Sequence, residues 1–366
     1  MRLGDIAKII GGGTPSTQIT SFWNGSINWF TPTEIGITKY VYKSQRTITP
    51  LGLKNSSAKL LPIGTILLTS RASIGDCAIL KVVATTNQGF QSLIPLEKIN
   101  NEFLYYLILT LKNKLLKLAS GSTFLEVSPN KIKNLLIPLP PLNEQSAIAN
   151  ILGALDRYLY ALDALILKKE GVKKALSFEL LSQRKRLKGF NQAWQRVRLG
   201  DIANYLTSNL SAEQITQQGK IKVYDVNNFI GYTDTTFISD KPYISIVKDG
   251  SVGRVRILPP KTNILSTMGA LIANHRTTTE FLFYLLSNFD FKNFTSGSII
   301  PHIYFKDYKE KTIFLPPLNE QSAIANILGA LDNEIASLKN KKRQFENIKK
   351  ALNHDLMSAK IRVLKK

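Results

Sequence analysis

The chain is poor in the residues that build disulfides and metal centres. It has one cysteine, Cys77, among 366 residues. A single cysteine excludes an internal disulfide framework and a cysteine-rich zinc site. It reads as a small buried thiol in a reducing setting. The three histidines, His275, His302 and His354, are dispersed without metal-ligand spacing. No window reaches the 18 apolar residues of a membrane span. Met1 runs into RLGDIAKII, too short and too mixed for a secretory signal, so a cytoplasmic protein is expected. Acidic residues are also scarce: 26 Asp+Glu stand against 48 Lys+Arg, a net charge of +22. Residues 1–188 carry 24 basic and 11 acidic side chains, and residues 189–366 carry 24 and 15. Both halves are basic, so the surplus is not one tail. A polyanion is the expected partner, nucleic acid first, with a lysine-rich solvated surface as the bland reading.

Catalytic motifs are missing as well. The Gly11-Gly12-Gly13 run lacks the Gly-Lys-Ser/Thr of a phosphate-binding loop. An adenine methyltransferase needs Asn/Asp-Pro-Pro-aromatic to hold a flipped base. The only Pro-Pro pairs are in LPPL, twice, and in LPPK at Leu258–Lys261. Asp307, Glu310 and Lys311 have no further acid to complete a nuclease triad, and read as a solvated charge cluster.

What is present is a repeat. LPPLNEQSAIANILGALD occurs at 139–156 and again, unchanged, at 315–332, an offset of 176. That period is far above those of solenoids and implies two domain-sized units. RLGDIA occurs at 2–7 and 198–203, an offset of 196, so the first unit is longer by 20 residues. Residues 67–79 align with 245–257 at an offset of 178, Gly75 falling on Gly253. Thr295-Ser296-Gly297-Ser298 falls on Ala119-Ser120-Gly121-Ser122 at 176. Scaffold residues recur while loop residues differ, as expected of one fold carrying two recognition surfaces.

Within a unit, Ile9–Trp29 reads as a strand and a Gly/Thr/Ser loop, with a tight turn at Trp23-Asn24-Gly25. Leu60–Ile94 reads as a β-meander. Asn101–Leu118 has helical apolar spacing. After each Pro-Pro pair comes a long helix, with Asn143-Glu144 or Asn319-Glu320 as cap and first-turn acid. Apolar residues at a 3/4 spacing run from Ile148 to Ile166 and from Ile324 to Leu356, with Lys342 and Lys349 on the second register. Such heptads favour a coiled coil. Residues 144–187 as one helix would span about 65 Å. Lys188–Trp194 is expected to break the first helix.

The expected fold class is α+β: two pseudo-repeated globular recognition domains, β-rich with helices, separated by two long helices packed as an antiparallel coiled coil. The expected boundaries are 1–142 (first recognition domain), 143–188 (long helix), 189–195 (linker), 196–318 (second recognition domain) and 319–366 (long helix).

RLGDIA, GGGTPST with FWNG behind it, LLTSRASIG, TNQGFQS, SGSTF and LPPLNEQ stand in that order in the first unit. They resemble the target-recognition domain of a type I restriction-modification specificity subunit. KDGSVGRVRIL, LSTMGALI, SGSIIPHI and LPPLNEQ in the second unit, and the LKGFNQAWQRVRLGDI junction, resemble the same family. The similarity covers nearly the whole chain. It implies a non-catalytic adaptor whose two domains each read half of a bipartite double-stranded DNA target. The helices would set the spacer between the halves. Two methyltransferase subunits would dock on it, with restriction subunits in a full complex. No cofactor is expected in this chain; S-adenosylmethionine, magnesium and ATP would belong to the partners. A stand-alone DNA-binding protein without a methyltransferase partner is the alternative.

Base reading needs donors and acceptors, and positioning needs phosphate-binding side chains. The first-unit candidates are Thr14, Ser16, Trp23, Thr31, Thr33, Lys39, Lys43, Ser70, Arg71, Ser73, Asn87, Gln88, Ser122 and Thr123. Trp23 also reads as a core aromatic, and Asn87-Gln88-Gly89 as a self-capped turn. The second-unit candidates are Asn227, Asn228, Tyr232, Lys248, Asp249, Ser251, Arg254, Ser266, Thr267, Ser298, His302 and Tyr304. Asp249 stands at the position of Arg71, so the two half-sites are expected to differ. A bond within its own loop is the expected role of Asp249. The repeat's Asn143, Glu144, Gln145, Asn319, Glu320 and Gln321 are the candidate partner-docking residues.

Overall fold

The computed structural model describes residues 1–121 and 125–364. Two compact units emerge: residues 1–163 with 341–366, and residues 164–340. The unit borders thus fall inside the two long helices.

Unit 1 contains β1 (Ala7–Gly11), β2 (Trp23–Phe30), β3 (Tyr40–Val41), β4 (Arg46–Ile48), helix α1 (Pro50–Lys54), β5 (Ile66–Leu68), β6 (Cys77–Leu80), β7 (Ala84–Thr86), β8 (Gln91–Pro95), α2 (Asn101–Leu118) and α3 (Pro129–Lys133). The first long helix, α4, is Leu142–Leu181. Its main sheet has the order β1-β8-β5-β6-β3, and a smaller sheet the order β4-β2-β7. The expected meander is therefore only partly present. β5 and β6 form the hairpin, β8 returns to the other side of β5, and β7 leaves for the second sheet beside β2. Nor is Trp23-Asn24-Gly25 a hairpin turn. It lies in β2, where the register against β4 shifts between Trp23 and Ile27, with Asn24 at φ 61°. The bulge bends the strand without ending it.

Unit 2 contains β9 (Gln195–Arg198), β10 (Ala203–Thr207), β11 (Ile221–Tyr224), β12 (Phe229–Thr233), β13 (Tyr243–Val247), β14 (Val255–Leu258), β15 (Thr262–Ile264), β16 (Met268–Ala273), α5 (Thr279–Ser287), β17 (Thr295–Ser296), β18 (His302–Ile303), α6 (Phe305–Tyr308) and β19 (Thr312–Leu315). The second long helix, α7, is Leu318–Met357. The sheets repeat those of unit 1 except at the edge held by β3: β10-β16-β13-β14, and β12-β11-β15. Register repeats too. Ile66 faces Ile79 and Leu93, and their counterparts at the sequence offset, Ile244 with Ile257 and Leu271, face each other in the same way.

In each unit one helix covers the main sheet. Asn100 caps α2 by accepting the Phe103 amide, and Thr278 caps α5 by accepting that of Phe281. Phe103, Leu104, Leu107, Ile108, Leu111 and Leu115 then place α2's apolar face in the core. Each such side chain contributes about 1.5–3 kcal/mol by leaving water. α5 is half as long. The chain turns at Asn288 so that Phe289, Phe291 and Phe294 can pack around Tyr308.

The long helices run antiparallel where they meet. In unit 1, Asp156 pairs with Lys349 and Asp163 with Lys342, and Tyr158 packs on Phe345 at 4.7 Å. In unit 2, Lys169 pairs with Glu334 and Lys173 with Asp332. Lys342 and Lys349 thus occupy the apolar register because aspartates face them. Both helices stop short of the expected bounds at 188 and 366, α4 at Leu181 and α7 at Met357. Gln183 (φ 62°) and Ala359 (φ 56°), at matching positions of the repeat, adopt the left-handed stop, and Lys185 and Ile361 amides close back on Glu179 and Asp355. The first helix therefore ends at Leu181, well before Lys188–Trp194.

Candidate nucleic-acid interface

At one end of the main sheet in unit 1, the loops 11–16, 69–76 and 86–90 come together with Ser120 and residues 125–127. The Ser70 amide donates to Gly89 O (2.8 Å), and Val127 N to Ser70 O (3.1 Å). Gly75, at φ +90°, closes the 69–76 loop by donating to Thr69 O (3.0 Å). Thr14 Oγ1 donates to Gln88 Oε1, joining two loops by side chains. Arg71 pairs with Glu126 (2.8 Å), and their backbones form an isolated bridge. Thr31 and Thr33 lie on the neighbouring turn; Thr31 Oγ1 donates to Glu34 (2.8 Å).

Unit 2 repeats this frame bond for bond. Lys248 N donates to Thr267 O (3.1 Å), Ile303 N to Lys248 O (2.9 Å) and Gly253 N to Val247 O (2.9 Å). The side chains differ. Where unit 1 has Arg71 and Glu126, unit 2 has Asp249 and His302. The carboxylate meets His302 Nδ1 at 2.6 Å, and the two backbones form the same bridge. Asp249 therefore bonds to a neighbouring loop rather than within its own. The His302 ring lies nearly parallel to that of Tyr304, 6.4 Å away. Ser251, Thr267 and Ser298 are exposed or half-exposed nearby, and Ser266 is half-buried with its amide on Leu210 O (2.8 Å).

A second group adjoins this cluster in unit 2. Arg254 Nη2 donates to Asn227 Oδ1 (2.7 Å) and Arg256 Nη1 to Asn227 O (2.9 Å). Asn228 N donates to Asp225 Oδ1 (2.6 Å), and Tyr232 packs edge-on to Phe229 at 5.1 Å. Arg256 was not among the sequence candidates. Its signal was the alternation Arg-Val-Arg, which puts residues 254 and 256 on one strand face. Glu126 was also missed, although the repeat offset places it on His302, itself a candidate.

Several candidates take other roles. Ser70 is buried, so its hydroxyl cannot reach a ligand. Trp23 is buried with Trp29, ring centroids 5.0 Å apart, and its Nε1 donates to Ser16 O (3.0 Å). The exposed Ser16 thus anchors the loop through its backbone. Asn87 caps its own turn by accepting the Gly89 amide (2.9 Å), leaving Gln88 as the exposed member. Lys39 is drawn onto α2, pairing with Glu102 and donating to Tyr106 Oη (2.9 Å). Ser73 is half-buried and its carbonyl accepts from Thr69; Lys43 is exposed. Ser122 and Thr123 lie outside the described residues.

The repeat itself is turned inward. Gln145 accepts the Asn100 amide (2.8 Å) and donates to Lys98 O (3.1 Å) and Pro140 O (2.9 Å); Gln321 does the same for Thr278, Arg276 and Pro316. Glu144 is clamped by Arg362 Nη2 (2.6 Å) and Nε (3.2 Å). Glu320 is clamped by Arg186 Nη2 (2.6 Å) and Nε (3.2 Å), with Trp194 Nε1 at 3.0 Å. The Arg362 guanidinium holds the Glu144 carboxyl below the usual carboxylate range. All four side chains are buried and so cannot dock a partner, a correction to the sequence expectation; only Asn143 and Asn319 are exposed. The repeat's last residue is used alike. Tyr106 donates to Asp156, and Tyr284 to Asp332 (2.9 Å). Burial and the bond to Asp156 push the Tyr106 hydroxyl up, so it remains a donor.

Chemistry is sparse. Burial pushes the Cys77 thiol up, away from thiolate reactivity. Among the described residues no three His, Cys, Asp or Glu stand together as metal ligands, and no helix is long and apolar enough to cross a membrane.

Fold and loop clusters together define a protein of two repeated α/β units, each with part of the two long helices. The sequence profile described as the type I restriction modification DNA specificity domain matches residues 1–169 and 191–347. The chain belongs to that family. It is 29% identical over 401 residues to the type I restriction enzyme MjaIX specificity subunit of Methanocaldococcus jannaschii, spanning 99% of this chain and 93% of that one. It is 38% identical over 161 residues to the EcoR124I/EcoR124II specificity subunit of Escherichia coli, 42% of this chain and 40% of the other. The fold resembles the type I restriction-modification S subunit of M. genitalium, at 20% identity and a TM-score of 0.63, over 98% of this chain and 95% of that one. A second solved chain, described under complex assembly and conformational transition of the type I system, matches with a TM-score of 0.65 and 18% identity, over 98% and 96% of the two chains.

Proposed function

We propose that this chain is the DNA-reading subunit of a type I restriction-modification complex, with one half of a bipartite target read by each unit. One observation carries the reading: the two loop clusters share a backbone frame, yet differ in the side chains that frame presents. Arg71 with Glu126 offers donors where Asp249 with His302 offers acceptors. A shared frame with exchanged chemistry suits two unlike half-sites. The net charge of +22 supplies the attraction to phosphate.

Docking belongs to the outward face of the repeat. Leu142, Asn143, Asn150, Ile151 and Ala154 are exposed, and so are Asn319, Asn326 and Ile327, with Leu318 and Ala330 beside them. Burial accounts for identity at Glu144 or Leu152, and not for identity on this face. Two identical patches suit two copies of one partner, here a methyltransferase subunit, with a restriction subunit in a complete complex. The chain itself is not catalytic. S-adenosylmethionine, magnesium and ATP belong to the partners, and the assembly works in the cytoplasm.

The test is competition binding by the full chain at matched salt. Duplex DNA carrying the target is expected to displace a labelled duplex far better than scrambled DNA or structured RNA. Equal displacement by all three would overturn the reading.

A further inference from the structure

We propose that the pairs Arg71–Glu126 and Asp249–His302 are matched specificity determinants. The first reads a guanine in one half-site, and the second a cytosine in the other. The inference rests on the DNA-reading assignment above and names the base chemistry of each site.

The argument starts from position. Asp249 falls on Arg71, and His302 falls on Glu126, at the offsets that relate their respective loops. The loops are tied together by the same two hydrogen bonds, from Ser70 and Val127 in one unit and from Lys248 and Ile303 in the other. Each pair also forms the same isolated backbone bridge. The side-chain contacts are 2.8 Å and 2.6 Å. What recurs is a cross-loop polar pair at one site, with its donor moved from the first loop to the second. All four side chains are partly exposed, between 29% and 42%. A pair placed only to hold the loops would need no such exposure, since the backbone bonds already do that.

The chemistry follows from each donor set. The nearest contact of Glu126 with the guanidinium is at Arg71 Nη2, 2.8 Å away. A guanidinium has five N–H groups and Arg71 is 42% exposed, so donors remain for a ligand beside that contact. Guanine O6 and N7 are the two acceptors that a guanidinium fork matches. Glu126 is thus a positioning residue and Arg71 the reader. In unit 2 the Asp249 carboxylate accepts only, so His302 Nδ1 carries the proton toward it. With its Nδ1 committed to Asp249 Oδ1, His302 is the positioning residue, and the second carboxylate oxygen is the acceptor left for a ligand. A paired cytosine turns one N4 hydrogen into the major groove, and a carboxylate oxygen accepts it. Adenine would also need a donor for N7, which a carboxylate lacks.

The experiment reads the adenines methylated in cells by the full chain with its methyltransferase subunits. It compares the natural chain with R71D/E126H, which gives unit 1 the chemistry of unit 2. The expected result is a half-site changed from guanine to cytosine at one position, the other half-site staying as it was. Methylation of the unaltered motif would overturn the proposal. A second measurement covers loss of folding: binding of the natural chain, R71A and E126A to duplexes substituted at each base pair of the mapped motif. R71A is expected to lose about 10- to 100-fold of discrimination at one pair only, and E126A to weaken preference at that same pair. A uniform loss across all pairs assigns both residues to scaffold and overturns the proposal. If the natural chain shows no two-part motif at all, the failure lies in the DNA-reading assignment itself.

Discussion

Glu320 is fully buried, and its two oxygens are held by Arg186 and Trp194, which lie 134 and 126 positions earlier in the chain. Replacing Arg186 with alanine leaves that carboxylate in the core with the indole N–H as its remaining side-chain donor. Removing one partner of a buried ion pair costs about 3–5 kcal/mol, mostly because the other charge is stranded. For a unit of this size, 1 kcal/mol corresponds to roughly 2–4 °C, so unit 2 is expected to melt about 6–20 °C lower. Scanning calorimetry of the full chain provides the assay, with hydrogen exchange over residues 194–200 and 318–330 locating the change. R186M/E320L removes both charges and is expected to recover most of the loss, because an apolar pair does not strand an ion. A drop below about 2 °C in R186A, or no recovery in the double variant, would refute the clamp as the anchor of the second repeat.

In unit 1 the depressed Glu144 carboxyl makes the corresponding contact sensitive to pH. Its folded value lies below the unfolded one, so its contribution is complete above the ordinary carboxylate range and disappears as pH falls through the folded value. Melting temperature followed from pH 7 to pH 3 is expected to show a steeper acid loss in the natural chain than in R362A. Gly253 sits at φ +79°, and a Cβ there would stand 2.6 Å from Phe291 Cδ2. G253A is therefore expected to cost about 2 kcal/mol or more in unit 2, seen in the same calorimetry. On the outward face of the repeat, I151R and I327R are each expected to lose one bound methyltransferase copy by native mass spectrometry, while DNA affinity of the chain alone stays within twofold.

Much of the scaffold was legible because the chain carries its own comparison. The offsets of 176 and 178 put Gly75 on Gly253 and Ile66 on Ile244, and the sheets share these registers. The apolar spacing of Asn101–Leu118 gave α2 with its bounds. Sheet membership was not legible, because β7 and β8 both read as short apolar runs and only non-local pairing separates them. The NEQ residues misled for a related reason. Polar residues repeated without change suggest a surface, and their buried partners, such as Arg362, stand far along the chain where no local pattern reports them. At the candidate interface, loop chemistry put Arg71, Asp249 and His302 among the candidates. It did not reveal that these side chains stand in pairs, since Glu126 has no local pattern to mark it and only the repeat offset places it on His302. The stretch from Ile148 to Ile166 gave the helix but not its end, because Gln183 and Ala359 stop their helices without glycine.

The most direct test of the central claim maps methylated adenines across the host genome, with the chain present and deleted. The account predicts a two-part motif with unlike halves around an unspecified spacer, lost on deletion and restored by the intact chain. Methylation unchanged by deletion, or a motif with two identical halves, would contradict it.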